Sequence, residues 1–254
     1  MKKNSKKQTE EQRLLAEIEA LIAKRNEFRT EGIKKFVTEY KESTKTKMLS
    51  DVDKQLFREL MEEISVENLI KIMELIDFRG ADVNAREEKT DGTPLHFAMA
   101  KNDVPLIIYL IKKGANINFQ NSYKTAPIHT GVFNKSYEAV DCLIKKGADL
   151  TLTQSDGFPP LHCAIIQEDY KMVKLLVEGG ADLNSFDNRK DSYGTPLHWA
   201  STIQDIRIIE YLIEKGADLE AKDNSGKTPL NWAKNSENSK TFKILKEKGA
   251  NYGE

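Results

Sequence analysis

The chain is paced by apolar stripes of helical period, each closed by a glycine. Ile107, Tyr109 and Leu110 stand seven, five and four residues before Gly114. Val140, Cys142 and Leu143 stand likewise before Gly147, Val173, Leu175 and Leu176 before Gly180, and Ile209, Tyr211 and Leu212 before Gly216. That spacing lines one face of a helix, and the glycine suits a left-handed C-terminal cap. Upstream of each stripe lies a shorter apolar stretch headed by proline. It reads Thr93-Pro94-Leu95-His96, Ala126-Pro127-Ile128-His129, Pro159-Pro160-Leu161-His162, Thr195-Pro196-Leu197-His198 and Thr228-Pro229-Leu230-Asn231. Threonine there predicts an N-cap whose hydroxyl accepts from a first-turn amide. Proline fits the first helical position, where a missing N–H costs nothing. Two residues after the histidine position come Ala98, Gly131, Ala164, Ala200 and Ala233, small enough to let two helices approach closely. The predicted unit is turn, helix, helix, glycine.

The unit recurs in register. The prolines are 33, 33, 36 and 33 residues apart, and each lies 20 residues before the glycine of its own unit. Those glycines open Gly114-Ala115-Asn116, Gly147-Ala148-Asp149, Gly180-Ala181-Asp182, Gly216-Ala217-Asp218 and Gly249-Ala250-Asn251. A unit of fixed length alternating with a connector that stretches is how a stacked solenoid reads in one dimension, and the period is that of ankyrin repeats. Over roughly residues 57–254 the chain resembles the ankyrin repeat family, whose TPLH and GAD signatures these are. The resemblance implies an all-α ankyrin-repeat solenoid of helix-turn-helix units with β-hairpin fingers. It also implies that the histidines bond neighbouring backbone and tie repeat to repeat, and that partners bind a concave face made by the fingers and the first helices.

Ahead of these units, Ser50 and Asp53 read as a capping box, with Val52, Leu56, Phe57 and Leu60 on the helix that follows. Ser65 reads as the cap of a second helix carrying Ile72, Met73, Leu75 and Ile76 before Gly80-Ala81-Asp82. This is a degenerate first repeat, with Leu60 where proline would stand, so residues 50–254 form a domain of about six repeats. Residues 1–8 are basic and polar and are expected to be disordered. Residues 9–49 are expected to form a helical extension, with Leu14, Ile18, Leu21 and Phe28 in one helix and Ile33, Phe36, Val37 and Tyr40 in another. Capping of the stack is the favoured role, because the apolar run is shorter than a coiled coil needs. Self-association of residues 9–42 into a homo-oligomer is the alternative.

The copies differ. The third repeat has Ala126 for the capping threonine and Gly131 for the small alanine; the fourth has Pro159 at the cap. A lost cap and a helical glycine each cost about 1 kcal/mol, so repeats three and four are expected to be the softest. In the last repeat Lys234, Lys240, Lys243, Lys246 and Lys248 give the polar dressing a terminal unit needs.

Composition narrows the function. With 39 basic and 40 acidic side chains, the net charge is −1, so no global field favours nucleic acid or membrane. A charged fraction of 31% and a mean hydropathy of −0.57 fit a thin fold with much surface. There is no apolar run long enough for a membrane span and no secretory h-region. Two cysteines, Cys142 and Cys163, are too few for a disulfide framework, which points to a reduced, cytoplasmic setting. The resemblance extends to bacterial effectors, for which it would be the host cytoplasm.

No chemistry is singled out. All four histidines belong to the repeat phrase, one per unit, so they do not converge on a metal. There is no phosphate loop and no nucleophile elbow. The reading is a non-enzymatic scaffold with no cofactor, binding another protein. The fingers carry Phe119, Tyr123, Phe158, Phe186 and Tyr193, and the first-helix ends carry Phe133, Ile166 and Ile203. Bulky apolar residues at solvent-facing positions are favoured interface anchors. The expected contact set is Tyr123, Phe133, Phe158, Ile166, Tyr193 and Ile203, across repeats three to five. The connector from Asn184 to Gly194 is three residues longer than its counterparts, which reads as neutral loop tolerance more than as a probe for a partner.

Overall fold

The computed structural model describes residues 51–189, 193–236 and 238–251. The basic tail expected over 1–8, the helical extension over 9–49 and its self-association over 9–42 lie outside the described residues. Among the described residues there are twelve helices and no strand. The chain divides into two compact units, Met1–Asp82 and Val83–Glu254.

In the first unit, α1 (Val52–Met61) packs on α2 (Val66–Asp77). Val52, Leu56, Phe57 and Leu60 are buried from α1, and Leu69, Ile72 and Leu75 from α2. Ser65 caps α2 as expected, its Oγ accepting from the Asn68 N–H at 3.0 Å. Ser50 of the capping box expected at α1 lies outside the described residues; Asp51 occupies the cap position without a side-chain bond, and Asp53 accepts the Asp82 N–H at 2.9 Å. Leu60 falls in the last turn of α1. Proline is missing there because this first helix begins well upstream of the position at which the later ones start.

The second unit contains five helix pairs. They are α3 (Pro94–Ala100) with α4 (Val104–Lys112), α5 (Pro127–Phe133) with α6 (Tyr137–Lys145), and α7 (Pro160–Ile166) with α8 (Tyr170–Glu178). The last two are α9 (Pro196–Ala200) with α10 (Ile206–Glu214), and α11 (Pro229–Asn235) with α12 (Ser239–Glu247). First helices stack on first helices and second on second, so each pair shelters the next. Leu95, Ile128, Leu161, Leu197 and Leu230 are buried along the first row. Each contributes about 1.5–3 kcal/mol of apolar burial. Four residues beyond that leucine position, Met99, Val132, Ile165 and Ser201 are buried, whereas Lys234 of the last pair is exposed.

Each second helix ends on a left-handed glycine, with φ between 84° and 93° at Gly114, Gly147, Gly180, Gly216 and Gly249. The alanine that follows returns its N–H to a carbonyl of the helix, as from Ala115 to Leu110 at 2.9 Å. Gly131 departs from expectation. A Cβ built there meets Met99 Cε at 2.4 Å and Val140 Cγ2 at 2.8 Å. The space that alanine fills in other repeats is already occupied by these two buried side chains, so this glycine is a packing solution and not a soft point.

The fingers are tight turns; no strand pairing is present among the described residues. A backbone bond spans each of four: Asn121 N–H to the Thr125 carbonyl (3.1 Å), Gln154 to Phe158 (3.1 Å), Asp187 to Gly194 (3.0 Å) and Asp223 to Lys227 (2.9 Å). The β-hairpin expectation is corrected for a physical reason. Side-chain oxygens of Asn121, Asp187 and Asp223 accept the N–H of Thr125, Gly194 and Lys227, the amides that would otherwise return the closing bond to the facing backbone carbonyl. The longer fourth connector keeps the same closing bond, from Asp187 to Gly194.

Candidate functional site

The conserved geometry of the second unit centres on its histidines. In repeat two, the Thr93 N–H donates to His96 Nδ1 at 3.1 Å and the Thr93 hydroxyl lies 2.9 Å from the same nitrogen. His96 Nε2 is 3.0 Å from the carbonyl of Thr125 in the next repeat. With Nδ1 accepting, Nε2 carries the proton and donates across the repeat boundary. His198 repeats this, with Thr195 at 3.1 and 2.8 Å and the Lys227 carbonyl at 3.0 Å. The threonine hydroxyl thus meets the imidazole at the head of the helix, within a capping box that joins the N-cap and the third helical residue.

The middle repeats lose half of this arrangement. His162 Nε2 reaches the Gly194 carbonyl at 3.1 Å, but Nδ1 has no partner because Pro159 offers neither N–H nor hydroxyl. His129 Nδ1 accepts from the Ala126 N–H at 3.3 Å, and its Nε2 makes no formed bond. In the last repeat, Asn231 Oδ1 accepts from both the N–H and the hydroxyl of Thr228 at 2.8 Å. It reproduces the inward half of the histidine's role. Burial pushes all four histidines below their ordinary pKa, His129 and His162 to about 4. All four are neutral at neutral pH, and His96, His162 and His198 tie one repeat to the next. Among the described residues no group of three or more His, Cys, Asp or Glu is arranged to hold a metal. Cys142 and Cys163 are unpaired, and burial raises both thiols, Cys163 to about 12.

The surface over these ties carries the apolar candidates. Phe133 is 74% exposed and Ile166 41%, at the same position of the adjoining helices α5 and α7. Tyr123 is 62% exposed on its finger. Tyr193, also exposed, stacks on Phe186 with ring centroids 4.7 Å apart. Ile203 is half-buried, just beyond α9, and its carbonyl accepts from Asn238 Nδ2. Phe158 is a correction. It is buried, lies 5.0 Å edge-to-face from Trp199 and 6.3 Å from His162, and is covered by the Arg189 guanidinium at 5.1 Å. It closes its finger inward instead of standing at the tip, so it supports the face and does not contact solvent.

Two residues that the sequence reading passed over belong to this face. Trp199 and Trp232 each follow the histidine position, are half-buried, and meet edge-to-face at 5.3 Å. Asp187 Oδ2 accepts from Trp199 Nε1 at 2.7 Å and Asp223 Oδ2 from Trp232 Nε1 at 2.8 Å, fixing finger to helix. Their signal was legible: tryptophan stands one residue after the repeat phrase in both copies, one turn before the helix-end position.

Two features, then, define the protein: helix pairs stacked in register and a recurrent imidazole tie between them. A family model described as ankyrin repeats (3 copies) matches residues 60–154 and 161–254, and one described as ankyrin repeats (many copies) matches residues 135–177. The chain belongs to the ankyrin repeat family. Such repeats generally mediate protein–protein interaction. No helix among the described residues is long and apolar enough to cross a membrane.

Proposed function

We propose that the protein is a non-enzymatic scaffold that binds a partner protein on the exposed face of the first helices and fingers of repeats three to five. The observation that carries this is the pair Phe133 and Ile166, large and exposed at equal positions of neighbouring helices. Neighbouring exposed apolar groups on an otherwise polar surface mark an interaction site. Tyr123, Tyr193 and Ile203 extend the contact set, and Phe158 serves beneath it as packing. The buried, neutral histidines support a binding role over a catalytic one, because they are committed to backbone ties and are shielded from any substrate. A cytoplasmic setting fits the two unpaired thiols.

The test is affinity capture with the wild-type chain and with a Phe133→Asp/Ile166→Asp variant. Proteins retained by the first and lost by the second, at unchanged thermal stability, support the site. Identical captured sets would refute it.

A further inference from the structure

Neighbouring repeats of the second unit are tied at two recurring places, and one seam lacks both. The first tie is the imidazole: His96, His162 and His198 reach the carbonyls of Thr125, Gly194 and Lys227. His129 stands at the same place between repeats three and four, near the Phe158 and Leu152 carbonyls, and its Nε2 makes a formed bond to neither. The second tie lies four residues after each capping glycine. There Asn118 Oδ1 accepts the Asp149 N–H at 3.0 Å, Asn184 Oδ1 the Asp218 N–H at 2.9 Å and Glu220 Oε1 the Asn251 N–H at 2.8 Å. Between repeats three and four this position is Thr151, whose hydroxyl turns back to Asp149 at 2.6 Å and gives the Asp182 N–H no acceptor.

The two losses are independent: His129 belongs to a first helix, and Thr151 to the turn that follows a second helix. Polar contacts that still cross this seam run from the Ser155 N–H to the Tyr123 carbonyl (3.0 Å), from Gln120 Nε2 to the Thr153 carbonyl (2.9 Å) and from the Tyr137 hydroxyl to Asp169 Oδ2 (2.9 Å). They join connector to connector and one helix-to-helix turn to the next second helix, so the repeats stay connected while both recurring ties are missing. In a solenoid each unit is held only by its neighbours. A weakened interface therefore divides the stack into blocks that open separately.

We infer that the stack opens at the seam between repeats three and four, with repeats two and three as one block and repeats four to six as the other. Phe133 lies on α5 and Ile166 on α7, one on each side, so the opening changes the spacing of these two anchors. That consequence rests on the binding face proposed above; the opening itself does not. The Thr151→Asn change supplies the missing acceptor on a backbone turn already like that of its counterparts. The N–H groups of Asn118, Thr151 and Asn184 each meet the side-chain oxygen two residues before, at 3.0, 2.8 and 2.9 Å.

Hydrogen exchange of the full chain, read by mass spectrometry, tests this without a partner. Helix amides of the second unit are expected to fall into two classes of protection, changing over between Lys145 and Pro160, where α6 ends and α7 begins. In Thr151→Asn the less protected class is expected to exchange about fivefold more slowly, the effect of one restored hydrogen bond. Asn184→Thr removes the same tie one seam further on and is expected to add a second changeover between Glu178 and Pro196. A single class, a changeover at another seam of the wild-type chain, or rates unmoved by Thr151→Asn would overturn the inference. So would Asn184→Thr without a new changeover, since the tie would then hold nothing. None of these results bears on the capture test of the face, and a failed capture test leaves the seam standing.

Discussion

Pro159 leaves His162 Nδ1 without the hydrogen bond that a threonine gives His96 and His198 at the same place. The ring is otherwise set as in the other repeats, with Nε2 on the Gly194 carbonyl. An unpartnered buried acceptor costs about 1–3 kcal/mol. Pro159→Thr supplies both an N–H and a hydroxyl to that nitrogen, and the backbone there (φ −67°, ψ 163°) is extended and open to threonine. Losing proline's restriction of the unfolded chain returns up to about 1 kcal/mol. The variant is expected to gain about 1 kcal/mol in urea unfolding. No gain would mean that the orphaned nitrogen is not a source of instability.

The histidines set an acid limit on stability. Their folded pKa lies below the unfolded value of about 6.5, at about 4 for His129 and His162. The unfolded chain therefore binds protons that the folded one refuses. Stability is complete above about pH 6.5 and is lost as the pH falls towards 4, by about 3 kcal/mol for each of these two histidines. Unfolding free energies measured across this window are expected to slope downward with acid. The slope should be shallower in a His162→Asn variant, which copies the natural Asn231. A flat profile from pH 6.5 to 4 would contradict the burial of the imidazoles.

Gly131→Ala inverts the usual helix propensity. On an open helix surface the change stabilises by about 1 kcal/mol. Here the new methyl meets Met99 and Val140 at 2.4 and 2.8 Å. Overpacking of a filled core costs about 1–3 kcal/mol, so a net loss of about 1 kcal/mol is expected in thermal or urea unfolding. Rescue by Val140→Ala in the same chain would locate the clash. Stabilisation by Gly131→Ala alone would show that the neighbours give way freely.

The repeat register, the positions of the helix pairs and the capping glycines were legible because each depends on residues a few places apart. Glycine after an apolar stripe, proline at a helix start and leucine behind it act locally. The sites that misled were those where a residue's neighbour lies on another helix, finger or repeat. Phe158 stands in a polar finger and reads as exposed, yet Trp199 and Arg189 close over it. Gly131 reads as weak until Met99 arrives from the first helix of the preceding repeat. Trp199 and Trp232 read as ordinary helix residues until Asp187 and Asp223 fold back to their indole nitrogens.

The sequence alone determined the period, the family and the polar ending of the last helix pair, since period and polarity are written along one dimension. Only the tertiary structure decided which side chain fills which space and where each imidazole nitrogen finds or misses a partner. The reason is distance: most of these contacts join residues of different helices, fingers or repeats, which folding alone brings within reach.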